Sequence, residues 1–384
     1  MAARVRVLHL LPDLRVGGGQ TVVLGLLRHL DAARFDTGVA ALAGPAELRA
    51  EFTEAAGAAP VELTAAGRAQ AVHLVVRLLR RERADVLHVH SPPDRVVGHL
   101  AALAAGVPVV GHLHSEWVHL RPAPDGDPGL GGARRRATAA VRLAAERRAV
   151  RHYVAASAHV AGLFAAATTT PVTVLPPATS VSPAAPGERE RVRRELGLDP
   201  GAPVLLQVAR IVDGKGHDDL VPLLHDVRSR FPDAVLLVVG EGERREAFRC
   251  AIDTAGLSDA VRLLGRRDDV AALMAAADLL VFPSRSEGMG LVVLEAMAAG
   301  LPVAAYDLPA FREFARDGET GAYVPAGARE ELTKAVIELL GDADRRAAYG
   351  RAGRATVDQR FRWPHAAAVL GEVYERVAAE RRRR

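Results

Sequence analysis

At 384 residues, with 49% apolar and 25% charged side chains, the chain has the composition of a folded protein and, at roughly 150 residues per domain, the length of two to three domains, which excludes a disordered polypeptide and a single small module. Its 50 basic and 46 acidic residues leave a net charge of +4, and Phe 9, Tyr 5 and Trp 2 offer few platforms for base stacking, so the sequence has no feature of a nucleic-acid binder. A single cysteine, Cys250, excludes an intrachain disulfide and suits a reducing, cytoplasmic setting, and no stretch approaches the roughly 18 consecutive apolar residues of a membrane-spanning helix.

The basic opening leads into an apolar run at 5–11 that stops at Pro12 without a small-residue cleavage site behind it. This is the pattern of a first strand and not of a secretory leader. Further runs at 37–42, 61–63, 85–90, 107–114, 153–157 and 172–176 alternate with longer Ala/Leu/Arg stretches of helical period. Several runs are apolar almost throughout, as parallel strands buried on both faces are. The Pro/Gly/Ser-rich stretch 176–187 breaks this alternation and reads as a linker, followed by a charged helix at 188–198. Strand runs then resume at 204–209, 234–240, 261–264, 279–283 and 302–305, and residues 363–380 read as a closing helix. Two doubly wound α/β domains of similar size fit this order, with a ligand expected in a cleft between them at the carboxyl ends of the strands.

The basic excess is confined to the first half, where residues 1–185 hold 20 basic and 14 acidic side chains against 30 and 32 in the remainder. Arg134, Arg135, Arg136, Arg142, Arg147, Arg148 and Arg151 supply part of it. Such a run reads as a solvated helix face, or as a peripheral contact for a membrane or an anionic substrate. Of the 50 basic residues 48 are arginine and two are lysine, so a lysine inside a glycine-rich turn stands out.

Three motifs carry chemistry. Gly17-Gly18-Gly19-Gln20 follows the first strand and opens an amphipathic helix, a place where backbone N–H groups can approach an anion or a sugar, although the loop is neither a Walker loop nor a dinucleotide fingerprint. Arg210 and Lys215, the latter between Gly214 and Gly216 after a buried strand, can set two positive charges beside a phosphate. Glu287 and Glu295 bracket Gly288-Met289-Gly290-Leu291. Eight positions are little more than two helical turns, so both carboxylates can point toward one ligand while the loop amides at the helix start face a diphosphate. A glutamate on an otherwise apolar helix is costly unless it is hydrogen-bonded, and ribose hydroxyls are suitable donors. The alternative has Glu287 as an exposed cap and Glu295 paired with an arginine.

In this order and at these spacings, together with a histidine ending the fifth strand and Gly240-Glu241-Gly242 after a later one, the chain resembles the family 4 glycosyltransferases over nearly its whole length. The resemblance implies retaining enzymes of the GT-B fold, α/β with two Rossmann-like doubly wound domains and an interdomain cleft: residues 1–180 for the acceptor, 181–362 for the nucleotide-sugar donor, and 363–384 as a helix that packs back on the first domain. It implies Glu295 on ribose hydroxyls, Glu287 on sugar hydroxyls, Arg210 and Lys215 on the diphosphate, backbone at Gly265 and Arg266 beside the base, and donor contacts from Gly18, Gly19, Gly288, Met289, Gly290 and Leu291. Uridine diphosphate is the expected nucleotide. Of the two histidines in Gly111-His112-Leu113-His114, His114 at the strand's carboxyl end matches the catalytic position, and His112 is expected on the opposite face, packed. His88 and His90 belong to no motif.

No metal is expected. Asp125-Gly126-Asp127 imitates the Asp-x-Asp motif of other sugar transferases but sits in a Pro/Gly turn, no His/Cys cluster offers a zinc site, and two cations with a helix terminus can replace a divalent ion on the diphosphate. No cofactor beyond the donor is expected either. The acceptor class remains open among small sugars, aminocyclitols of natural-product pathways and lipid-linked or cell-surface glycans. Two other classes stay open beside transfer: a sugar-nucleotide epimerase of the same architecture, which converts donor alone, and a non-catalytic sugar-binding module.

Overall fold

The computed structural model describes residues 4–42, 44–90, 92–114, 143–165, 168–175 and 178–383. The chain divides into two units, one of Met1–Ala178 with Trp363–Arg384 and the other of Thr179–Arg362.

In the first unit, β1 (Val5–Leu11), β2 (Phe35–Ala41), β3 (Val61–Glu62), β4 (Val86–Val89), β5 (Val109–Leu113), β6 (Val150–Ala155) and β7 (Val172–Val174) form one parallel sheet in the order β3-β2-β1-β4-β5-β6-β7. The strand order reverses between β1 and β4. Helix Arg68–Arg81 shows how the connecting helices are held: Ala71, Val75, Leu78 and Leu79, at helical spacing, are the residues it buries. One face of the sheet carries an aliphatic core that includes Leu8, Leu10, Leu87, Val89 and Leu113. The last helix, Trp363–Arg382, belongs to this unit and buries Tyr374 completely. The Tyr374 ring meets Phe35 at 5.9 Å, and its hydroxyl lies 2.6 Å from His88 Nδ1.

In the second unit, β8 (Val204–Val208), β9 (Val235–Val239), β10 (Val261–Gly265), β11 (Leu279–Phe282), β12 (Val303–Asp307) and β13 (Ala322–Pro325) form a parallel sheet in the order β10-β9-β8-β11-β12-β13. Alternate residues serve opposite faces. Leu206, Leu237, Leu280 and Val303 enter one core, while Leu205, Leu236, Leu279 and Ala304 enter the other. Burial on both faces is why these strands read as unbroken apolar runs.

Two strand expectations need correction. β6 starts at Val150, three residues before the run at 153–157, because Arg151 and His152 interrupt the hydrophobic signal; His152 is nonetheless buried, with Nε2 2.8 Å from the Thr173 hydroxyl. β13 was not among the expected strands. It is four residues long, ends in Pro325 and pairs on one side only, with β12, so its sequence needs neither a long apolar run nor a donor at its last position.

Candidate active site

In the second unit the loops after β8, β9, β10 and β11 meet around the point where strand order reverses between β8 and β11, the place where open parallel sheets hold ligands. Gly216 (φ 73°) precedes helix His217–Arg230, and a Cβ there would lie 1.9 Å from the carbonyl oxygen of Pro283. Only glycine permits this approach. It sets Lys215 against the loop after β11, where Nζ donates to Glu287 Oε1 at 2.6 Å and to the Ser286 carbonyl at 3.3 Å. Ser284, fully buried, donates to the same Glu287 oxygen at 2.7 Å. The ammonium has three donors, so one remains for a further acceptor. At the start of the same loop Arg210 is exposed, and its side chain forms no ion pair or hydrogen bond among the described residues.

The loop after β11 ends in Gly290 (φ 67°), where a Cβ would fall 2.1 Å from the Phe311 ring. Helix Leu291–Ala299 starts there with no side-chain cap, which leaves its first amides, at the positive end of the helix, for an outside acceptor. Gly288 and Met289 are buried beside it and Leu291 is partly buried. In the second turn Glu295 has no hydrogen-bond or ion-pair partner among the described residues. The residue keeps some exposed surface, yet protein crowds its carboxyl closely enough that loss of hydration raises the pKa to about 7. Among the described residues no arginine is its partner, contrary to the alternative reading from sequence. Gly265 closes β10 and accepts a hydrogen bond from the Gly240 amide at 2.8 Å, while Ile211 N–H donates to the Glu241 carbonyl at 2.9 Å. These bonds join the three loops, and Arg266 follows at their margin, its side chain 3.8 Å from Asp268.

Sequence reasoning missed two supports of this site. Ser284 fixes Glu287 from three residues upstream, and Asp219 ties the loop to the sheet by accepting from Arg285 at 2.7 Å and from the Tyr306 hydroxyl at 2.8 Å. A serine three residues before an acidic residue was the one available hint; Asp219 and Tyr306 are 87 positions apart.

In the first unit the glycine turn opens helix Gly18–His29, and a Cβ on Gly19 would lie 4.0 Å from His114 Nε2. The turn and the end of β5 are therefore neighbours. His112 and His114 do not lie on opposite faces as expected. Residues two apart in a strand share a face, and the two rings stack with centroids 3.8 Å apart. His112 is fully buried, with neither ring nitrogen hydrogen-bonded. His114 is partly buried, and desolvation, aided by the nearby Arg95 charge, lowers its pKa to about 4.

The expectation that no His/Cys cluster offers a zinc site meets a cluster that the sequence did not reveal. The fold brings His9 of β1, His88 of β4, His90 just beyond it, His112 of β5 and His114 just beyond that onto one side of the sheet, and the triads His9–His88–His90 and His90–His112–His114 each have ring nitrogens within 4.8 Å of one another. Pairs of these nitrogens already face each other: His9 Nδ1 and His90 Nε2 at 3.0 Å, His90 Nδ1 and His114 Nε2 at 3.3 Å. The planes of His112 and His114 are 11° apart, so two stacked rings do not aim their in-plane lone pairs at one ion. Burial drives the pKa of His9 down to about 3 and, with neighbouring histidines, those of His88, His90 and His112 well below the ordinary imidazole value. All five are neutral near pH 7.

Asp125, Gly126, Asp127, Arg134, Arg135, Arg136 and Arg142 lie outside the described residues. Arg147 and Arg148 are exposed. No described helix is long and apolar enough to cross a membrane.

A 2-deoxystreptamine glucosyltransferase of Streptomyces kanamyceticus is 32% identical over 333 residues, covering 84% of this chain and 85% of that protein. The chain belongs to glycosyltransferase family 4. In this family 4 chain residues 16–182 match the model of Glycosyltransferase Family 4 and residues 188–356 that of Glycosyl transferases group 1. A GDP-mannose-dependent monoacylated alpha-(1-6)-phosphatidylinositol monomannoside mannosyltransferase of Corynebacterium glutamicum is 37% identical over 201 residues, half of this chain and 51% of that protein, so the chain spans about half the length of that relative. Among solved structures, Anabaena Alr3699/HepE in complex with UDP-glucose superimposes with a TM-score of 0.82 at 22% identity, covering 97% of this family 4 chain and all of the other. The fold is GT-B, with a Rossmann-like parallel sheet in each unit.

Proposed function

We propose that the protein is a retaining, metal-independent glycosyltransferase that moves a hexosyl group from a UDP-sugar to a hydroxyl of a small sugar or aminocyclitol. The carrying observation is a set of groups on adjoining loops of the second unit that are unsatisfied among the described residues: an unpaired Arg210, a spare Lys215 donor, an uncapped helix start at Leu291 and a Glu295 without a partner. Cations and amides suit a diphosphate, a partly buried carboxylate suits vicinal ribose hydroxyls, and Glu287, held on one oxygen by Lys215 and Ser284, keeps its other oxygen for sugar hydroxyls.

Cleavage of the anomeric C–O bond puts negative charge on the departing diphosphate, and Arg210, Lys215 and the Leu291 amides are the donors that stabilise it. Glu287 is committed to Lys215 and is not a nucleophile in this reading. The departing phosphate oxygen takes the acceptor's proton as the acceptor oxygen bonds to the same face of the sugar, which gives retention. His114, at the position that matches the family's catalytic histidine, acts as a substrate contact in its neutral form.

The aminocyclitol reading draws on the relative matched over 84% of this chain. A second reading, GDP-mannose with a lipid-linked acceptor, draws on the relative matched over half of it. A panel of UDP- and GDP-sugars against 2-deoxystreptamine, simple sugars and a phosphatidylinositol mannoside separates them, with anomeric configuration read by NMR. Donor turnover without any acceptor, yielding an epimer, would overturn transfer altogether.

A further inference from the structure

His88, His9, His90 and His114 of the first unit form a hydrogen-bond chain with Tyr374. Tyr374, on the last helix, has its hydroxyl 2.6 Å from His88 Nδ1 and 3.3 Å from His9 Nε2; His9 Nδ1 then meets His90 Nε2 at 3.0 Å, and His90 Nδ1 meets His114 Nε2 at 3.3 Å. A neutral imidazole donates from one nitrogen and accepts at the other. The proton order along the chain is therefore all one way or all the other, and its blind end decides which.

That end is His88 Nε2, buried and without a hydrogen-bond partner. If the chain ran from His114 toward Tyr374, the tyrosine hydroxyl would donate to His88 Nδ1, and His88 would have to carry its proton on Nε2, a buried N–H with no acceptor. Orphaned buried N–H donors are costly because they forfeit the hydration they had in water, and this one would add to the orphaned N–H that neutral His112 already carries beside it. In the opposite order His88 Nδ1–H donates to Tyr374, Tyr374 O–H to His9 Nε2, His9 Nδ1–H to His90 Nε2, and His90 Nδ1–H to His114 Nε2. Only a bare lone pair is left at His88 Nε2. The stack of His112 on His114 at 3.8 Å holds the last ring in plane.

We propose that His90 is a positioning residue that locks His114 in the Nδ1–H tautomer, so that His114 meets the substrate as a hydrogen-bond donor and not as a base. This rests on the reading of His114 as a substrate contact, and it agrees with a mechanism in which the leaving phosphate, not the protein, takes the acceptor's proton. His90 has no place in any sequence motif. Its role comes from standing between β1 and the end of β5.

The test is long-range 1H–15N correlation on the full chain, which reads the protonated nitrogen of each histidine, combined with steady-state rates. Wild type should show His114 protonated at Nδ1 and bare at Nε2. His90→Phe removes the donor; His114 should move to the Nε2–H form, and kcat should fall about tenfold or more, the worth of one such hydrogen bond. His90→Asn returns an amide N–H near the position of Nδ1 and should restore both the tautomer and most of the rate. A wild-type His114 protonated at Nε2 overturns the proposal even if no variant folds, as does an unchanged tautomer in His90→Phe. Stoichiometric zinc in the purified protein, with the chain's N–H signals lost, overturns it in favour of a metal site. If the tautomers behave as stated but His114→Ala keeps full activity, the substrate-contact reading fails while the lock on the ring stands.

Discussion

The two units place their unusual groups at equivalent sheet ends but with opposite electrostatics. In the first unit a buried row of imidazoles is kept neutral, four of them linked through one another and Tyr374 while His112 only stacks. In the second unit a cation pairs with a carboxylate, a second cation stands free, and a lone carboxyl is crowded out of water. One arrangement orients protons, whereas the other holds unspent charge for a ligand. Stacking equal parallel sheets does not dictate which of these a sheet end becomes; the residues at the first positions past each strand do.

This contrast makes the imidazole row of the first unit and Glu295 of the second respond to pH in opposite directions. Below about pH 6.5 the unfolded chain protonates His9, His88, His90, His112 and His114 while the folded one resists, so the unfolded state binds more protons and the first unit loses stability as pH falls from 6.5 toward 4 and below. A tenfold difference in proton affinity between the folded and unfolded chain is worth about 1.4 kcal/mol for each group, so several kcal/mol are at stake. Hydrogen exchange followed between pH 7 and pH 5 should show β1, β4 and β5 losing protection first. Equal loss in β8 and β11 would break the contrast.

The next largest effect concerns the cations. Arg210→Ala and Lys215→Ala should each lower turnover about 10²-fold or more. They should differ in stability. Arg210 is exposed and, among the described residues, unpaired, so its removal should leave the melting temperature nearly unchanged, while loss of Lys215 leaves Glu287 the Ser284 hydroxyl as its one described side-chain partner. Near-wild-type rates in both variants would refute the diphosphate assignment.

Glu295 sharpens the comparison from the other side. A carboxyl with its folded pKa raised to about 7 makes the folded state the better proton binder between its ordinary pKa and 7, so this group lowers stability as pH rises through that window, by about 3 kcal/mol at most. UDP binding that uses the carboxylate should release a proton near pH 6 and tighten as pH rises, whereas Glu295→Gln should bind UDP about 1.5–3 kcal/mol more weakly, with little proton release. Glu287→Gln should leave UDP affinity largely intact and lower the rate. Calorimetry in buffers of different ionisation enthalpy, beside rate measurements, checks both. Equal affinity losses in the two variants would reject the division of labour.

The smallest expected effect is that of a chelator. Excess EDTA should leave turnover unchanged. Complete loss that magnesium or manganese restores would mean that the cations of the second unit do not suffice for the diphosphate.

The sequence by itself determined what local order can express. Strands buried on both faces must be apolar, so β1, β4, β8 and β11 were legible as runs, and Arg210 with Lys215, or Glu287 with Glu295, were legible because only one loop, or a short loop and one helical turn, separates their members. The contact between Lys215 and Glu287, 72 positions apart, was not legible in this way; the close approach of Gly216 to the carbonyl of Pro283 is what brings the two loops together. Only the tertiary structure decided the rest. β13 carries too few residues to make a pattern of its own and exists because β12 offers it an edge. Asp219 reaches Tyr306 across 87 positions. Periodicity assigns His112 and His114 to one face, but nothing in the order of residues says that His9 and His90, 81 positions apart, complete that face. Parallel pairing of β1 with β4 and of β4 with β5 sets His9 beside His88 and brings the histidine row together. Hydrogen bonds along that row depend on strand register, which hydrophobic patterning constrains only through the pairing of whole strands.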